Sequence, residues 1–76
     1  MKTYTLQSIE RLINHYLNKG GALVEIQGGV LGYGKILLYA PGLKTCIIQE
    51  RYLNEWSSTH TIRMYNKIPN KYLKYL

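Results

Sequence analysis

Residues 35–49, KILLYAPGLKTCIIQ, decide the fold. Ile36-Leu37-Leu38-Tyr39 and Cys46-Ile47-Ile48 are apolar at odd and even positions alike, whereas a strand with one wet face alternates apolar with polar residues. Between them, Ala40-Pro41-Gly42-Leu43 has proline second and glycine third, the pattern of a type II turn. Two neighbouring antiparallel strands follow, in a sheet that must be covered on both sides. The side expected to carry Leu37, Tyr39, Cys46 and Ile48 needs either the chain's own C-terminal segment or another molecule over it.

Working outward, the clearest element lies near the N-terminus. In TLQSIERLINHYLNKGG, Leu6, Ile9, Leu12, Ile13, Tyr16 and Leu17 form one stripe at helical spacing. Thr5 is a suitable N-cap and Gly20 a C-terminal stop, so the spacing predicts a helix over 6–18. ALVEIQ (22–27) then alternates as a strand, and Gly28-Gly29 suits a two-residue hairpin turn. That turn would pair Ile26 with Leu31 and Val24 with Tyr33. The apolar phase then changes before Ile36, which a β-bulge at Gly34 would accommodate.

Towards the C-terminus, 44–53 reads as a third strand, although Ile48, Tyr52 and Trp56 are also four apart, as in a helix. Ser57-Ser58 suggests a turn, and THTIRMY (59–65) a fourth strand with Ile62 and Met64 facing away from Arg63 and Tyr65. Pro69 is placed to begin a short terminal helix with Tyr72, Leu73 and Leu76 on one side. The expected architecture is α+β: an N-terminal helix on a four-stranded antiparallel meander, closed by a short C-terminal helix.

A chain of 76 residues is one small domain, near the lower limit at which a hydrophobic core alone suffices. Cys46 is its one cysteine, which excludes an internal disulfide and a cysteine-based zinc site. No window approaches the roughly 20 apolar residues of a membrane span, and the start has no secretory pattern. The protein is therefore expected to be soluble and cytoplasmic, without membrane association. Small domains without disulfides or metals often lean on oligomerisation, so a homo-oligomer or protein partner is also expected.

The charge is lopsided. Ten Lys and Arg oppose four acids, a formal charge of +6, and residues 63–76 carry Arg63, Lys67, Lys71 and Lys74 with no acid. Eight tyrosines and no phenylalanine indicate rings with one end buried and the other wet. The segment from Arg63 to Tyr75 interleaves these four cations with Tyr65, Tyr72 and Tyr75. Cations neutralise phosphates and aromatic faces stack on unpaired bases, so Arg63, Lys67, Lys71, Lys74, Tyr65 and Tyr75 are the candidate contacts for DNA or RNA. The same spacing equally serves a solvated helix whose tyrosines pack inward.

Four other features were candidates. Gly29 to Lys35 has the spacing of the phosphate loop G-x-x-x-x-G-K, but Ile36 stands where Ser or Thr must hold magnesium and a strand follows where a helix is needed. The phosphate loop is rejected, leaving only contact of Tyr33 and Lys35 with a ligand. His60, among hydroxyls and three residues before Arg63, has the residue type of a ribonuclease base but no partner fixed by sequence. Cys46 reads as a small buried hydrophobe. Trp56 sits at a loop tip and, with Leu37, Tyr39 and Ile48, is a candidate protein interface. The expectation is a small, basic, non-enzymatic domain with no cofactor and no metal, binding nucleic acid or, alternatively, acting as a protein-interaction or inhibitor module.

Overall fold

The computed structural model describes residues 3–30, 33–54 and 56–76, with the description of 3, 27–30, 33 and 52–54 confined to the backbone. Its elements in chain order are β1 (Thr3–Tyr4), α1 (Leu6–Asn18), β2 (Ala22–Val30), β3 (Tyr33–Tyr39), β4 (Thr45–Asn54), β5 (Ser57–Tyr65) and a 3-10 helix (Asn70–Tyr75). The α+β expectation holds, with α1 packed on the antiparallel meander β2 to β5. To this the structure adds β1, whose Thr3 and Tyr4 pair with Thr61 and His60 and extend the sheet to the order β1-β5-β4-β3-β2.

Helix α1 has the predicted ends. Thr5 is extended at φ −78 and ψ 158, and its hydroxyl oxygen accepts from the Ser8 amide at 3.2 Å. At the other end Gly20 turns to φ +81, donating to the Leu17 carbonyl while Gly21 donates to that of Tyr16. Those two bonds form a Schellman stop. The buried stripe is narrower than its spacing implies, because Ile9 and Tyr16 are buried while Leu6 and Leu17 stay exposed.

Gly28 and Gly29 do not form the first turn; both belong to β2, which continues to Val30 and pairs there with Tyr33. Val24 consequently faces Leu37, not Tyr33, and Leu31 and Gly32, expected to follow the turn, lie outside the described residues. A turn at 28–29 would instead have set Leu37 opposite Gly20, in the C-terminal stop of α1 and outside β2. The observed register keeps the apolar part of β3 between β2 and β4. Register shifts fall between Glu25 and Gln27 and between Gln27 and Val30, each placing the extra residue on β2. The expected bulge at Gly34 is therefore absent from β3, and Gly34 has no positive φ.

The type II turn forms as expected, with Gly42 at φ +77 and the Leu43 amide donating to the Ala40 carbonyl at 3.1 Å. Beyond it, β4 runs extended throughout. The β4–β5 connection comes earlier than Ser57-Ser58: Asn54 pairs with Ser57, Trp56 is in the turn, and both serines are in β5.

Both sheet faces are covered. On the helix face, Leu38, Ala40, Cys46 and Ile48 pack with Ile9 and Tyr16. On the outer face, Leu37 and Ile47 pack with Tyr72 of the 3-10 helix, flanked by Val24, Ile26, Tyr39, Tyr65 and Ile68. The expected grouping of Leu37, Tyr39, Cys46 and Ile48 therefore splits. Leu37 pairs with Ile47, Leu38 with Cys46 and Ile36 with Ile48, and this register sends Cys46 and Ile48 to α1. Leu37 and Leu38 are fully buried, each contributing about 1.5–3 kcal/mol relative to exposure.

The terminal helix is tighter than an α-helix, with the Tyr72 amide donating to the Pro69 carbonyl and Leu76 to Leu73. Tyr72 alone of its three expected apolar anchors is buried; Leu73 and Leu76 are half exposed. Three residues per turn cannot place 72, 73 and 76 on one side. Among the described residues no helix is long and apolar enough to cross a membrane.

Candidate functional site

The outer face becomes polar towards one end. Alternation along β4 and β5 and their register with β3 set Thr61, Gln49 and Lys35 in one row, with Arg63 beside Ile47 in the next. The 3-10 helix crosses near these rows because Tyr72 plugs the apolar patch of Leu37 and Ile47. Its neighbour Lys71 is thereby carried to the polar row. The result is a cleft of about 190 Å³ lined by Lys35, Gln49, Thr61, Arg63, Tyr65 and Lys71 together with the buried Ile47 and Tyr72. Among the described residues lining it there is no carboxylate.

A second depression, of about 280 Å³, adjoins it. Residues 65–70 line this one, so the half-buried Tyr65 is common to both and Lys67 joins the second. Lys71 Nζ sits 5.0 Å from the Tyr72 ring centre and Lys74 Nζ 5.2 Å from that of Tyr75. Such contacts hold ammonium groups near aromatic faces without neutralising them.

Charge divides between the faces. Arg51 pairs with Thr59 and so shares the outer face with Lys35 and Arg63, while Lys67, Lys71 and Lys74 lie on the segment packed over that face. The described acids lie elsewhere: Glu10 on α1, Glu25 opposite Ile36 of the helix face, and Glu50 one register step from Ile48 on that face. Glu55 is outside the described residues.

Of the candidates read from sequence, the fold brings Arg63, Lys71 and Tyr65 together in the cleft and Lys67 with Tyr65 beside it. Lys74 and Tyr75 are exposed on the 3-10 helix and line neither depression. Lys35 rejoins the site through the cleft; the side chain of Tyr33 is outside the described residues. Gln49, Thr61 and Arg51 were missed, although period-two counting back from Arg63 and across the sheet places them on its face.

The remaining candidates separate. Leu37 and Ile48 are sealed within the chain, Tyr39 is half-buried against the outer cluster, and Trp56 is 91% exposed at the β4–β5 turn. Trp56 and Tyr65 bracket β5, roughly 30 Å apart at strand rise. His60 does not join Arg63: an odd offset along an extended strand sends the two to opposite faces, and His60 is buried on the helix side across from Glu50. Cys46 is buried as expected, its thiol donating to the Tyr16 hydroxyl at 3.1 Å while that hydroxyl donates to the Lys44 carbonyl. Burial pushes the Tyr16 phenol well above its ordinary pKa, and also raises the Cys46 thiol against the lowering effect of the Tyr16 contact.

No family model matches the chain, nor does any curated protein or solved structure.

Proposed function

We propose that this chain is a small, non-enzymatic, cytoplasmic domain that binds nucleic acid on its outer sheet face. One observation carries the reading: six cations, Lys35, Arg51, Arg63, Lys67, Lys71 and Lys74, occupy that face and the segment over it, while every described acid lies elsewhere. Phosphates meet Lys35, Arg63 and Lys71 in the cleft, with Thr61 and Gln49 supplying hydrogen bonds. Tyr65, on the wall between the two depressions, offers a ring to an unpaired base at about 1–3 kcal/mol. The test is a titration against single-stranded and duplex DNA and RNA at low and moderate salt. Tighter binding of single strands, weakening with salt, is expected; absence of binding, or binding indifferent to salt, overturns the reading.

A second reading, protein interaction, has one specific support, the exposure of Trp56. The outer apolar patch no longer favours it, since Tyr72 covers Leu37 and Ile47. Sedimentation of the wild-type chain and Trp56→Ala separates the readings: self-association lost in the variant supports interaction, and a monomer in both removes homo-oligomerisation.

A further inference from the structure

The helix face holds a site independent of the cationic one. Between the first half of α1 and the sheet lies a pocket of about 200 Å³, walled by Leu6, Ile9, Ile13, Ile36 and Ile48. Gly34 contributes no side chain where its neighbours on that face contribute large ones, and this leaves the gap between helix and sheet unfilled. One end of the pocket is polar. Glu50 and His60 face each other across β4 and β5 and both line it, and a Cβ built on Gly34 would lie 3.7 Å from Glu50 Oε2. His60 is 6% exposed, and its Nδ1 is sealed from solvent with no hydrogen-bond partner among the described residues. A buried ring nitrogen left unpaired calls for an explanation.

An apolar chamber with a few convergent polar groups at one end is the usual form of a small-molecule site. Its volume suits a body of about one aromatic ring, since an apolar cavity of roughly 150 Å³ accepts benzene. The chemistry of the polar end narrows the head group. An ionised carboxylate only accepts, whereas a neutral imidazole has one donor and one acceptor nitrogen. A carboxylate ligand would meet Glu50 with like charge, and an ammonium would have to give up its water in a chamber walled by Leu6, Ile9, Ile13, Ile36 and Ile48. A hydroxyl donates to Glu50 while accepting from His60, so it answers both. We propose that this pocket binds a small apolar molecule bearing one hydroxyl, its body among Ile9, Ile13, Ile36 and Ile48 and its hydroxyl against Glu50 and His60.

The test uses the full chain, labelled at isoleucine methyls and followed by NMR, with benzyl alcohol as the probe and toluene and benzoate as comparisons. Saturable shifts at Ile9, Ile13, Ile36 and Ile48 are expected for benzyl alcohol, with toluene and benzoate weaker by roughly tenfold or more. Glu50→Leu, close in volume but without an acceptor, should lose that preference yet still admit toluene. Gly34→Val, compatible with the extended backbone at 34, should fill the gap and abolish the shifts. No saturable shift in the folded wild-type chain, equal binding of toluene, or a preference that survives in Glu50→Leu would each overturn the proposal. Nucleic-acid binding at the outer face plays no part in these readouts.

Discussion

Replacing Arg63 and Lys71 by glutamine tests the cationic face most directly. Both side chains are exposed and line the cleft, so the change removes two charges without opening a core. If each of the six outer cations meets a phosphate, log K should fall with log salt at a slope of about −4 for a single strand, and the double variant should flatten it to about −3. Raising salt from about 50 to 200 mM would then weaken the wild-type chain roughly 300-fold and the variant roughly 50-fold. The matched control is Arg11→Gln with Lys19→Gln, which removes the same charge from α1 and its C-cap. Fluorescence anisotropy with a labelled oligonucleotide, read across a salt series, gives both slopes. A slope unchanged in the cleft variant, or an equal change in the control, would show that net charge, not this face, attracts the ligand.

Tyr72→Ala should cost about 3–5 kcal/mol in urea unfolding, the range for truncating a large buried aromatic ring, because it uncovers Leu37 and Ile47. Gly21→Ala should be severely destabilising, since the new Cβ would lie 2.1 Å from the Tyr39 carbonyl oxygen; Gly42→Ala meets open space and should cost only the left-handed backbone, about 1–2 kcal/mol by thermal melting. With the folded pKa values of Tyr16 and Cys46 raised, their protonated forms favour folding at neutral pH, and that contribution should decline as pH rises past the ordinary values of 9.0 for the thiol and 10.0 for the phenol. Melting temperatures between about pH 7 and 11 should therefore fall less steeply above pH 10 for Tyr16→Phe than for the wild-type chain; parallel curves would contradict the buried phenol.

Local chemistry made several elements legible in the sequence. The ends of α1 were readable because Thr5 and Gly20 act through bonds within three to five residues, and the turn at Gly42 because proline and glycine prescribe its dihedrals. The β2–β3 register was not. Gly28-Gly29 satisfies a turn locally, but the competition was won by keeping Leu37 and Leu38 paired between two neighbours, a non-local gain. The same limit misassigned Cys46 and Ile48, because a run apolar on both faces carries no phase of its own. Strand β1 has only two residues, too few for any periodicity to reveal. Within the candidate site, Arg63, Lys67 and Lys71 were visible as a charge run, whereas Lys35, Gln49 and Thr61 became neighbours only once the register across β3, β4 and β5 was known.

The two-sided apolar strands explain why the cations gather where they do. A sheet buried on both faces leaves its outer layer to a six-residue 3-10 helix, and a single large ring, Tyr72, is what anchors that helix. So small a cover seals only the apolar patch around Leu37 and Ile47; the polar row of Thr61, Gln49 and Lys35 stays open beside it. Its neighbour Lys71 is not buried with Tyr72, which frees it to carry charge to that opening. Acids placed there would neutralise it. Those described are instead on α1 or the helix face, where Glu50 shares a pocket with the buried His60. Coverage of the core and polarity of the surface are thus set by one arrangement, in which the element that closes the outer face also delivers its charge.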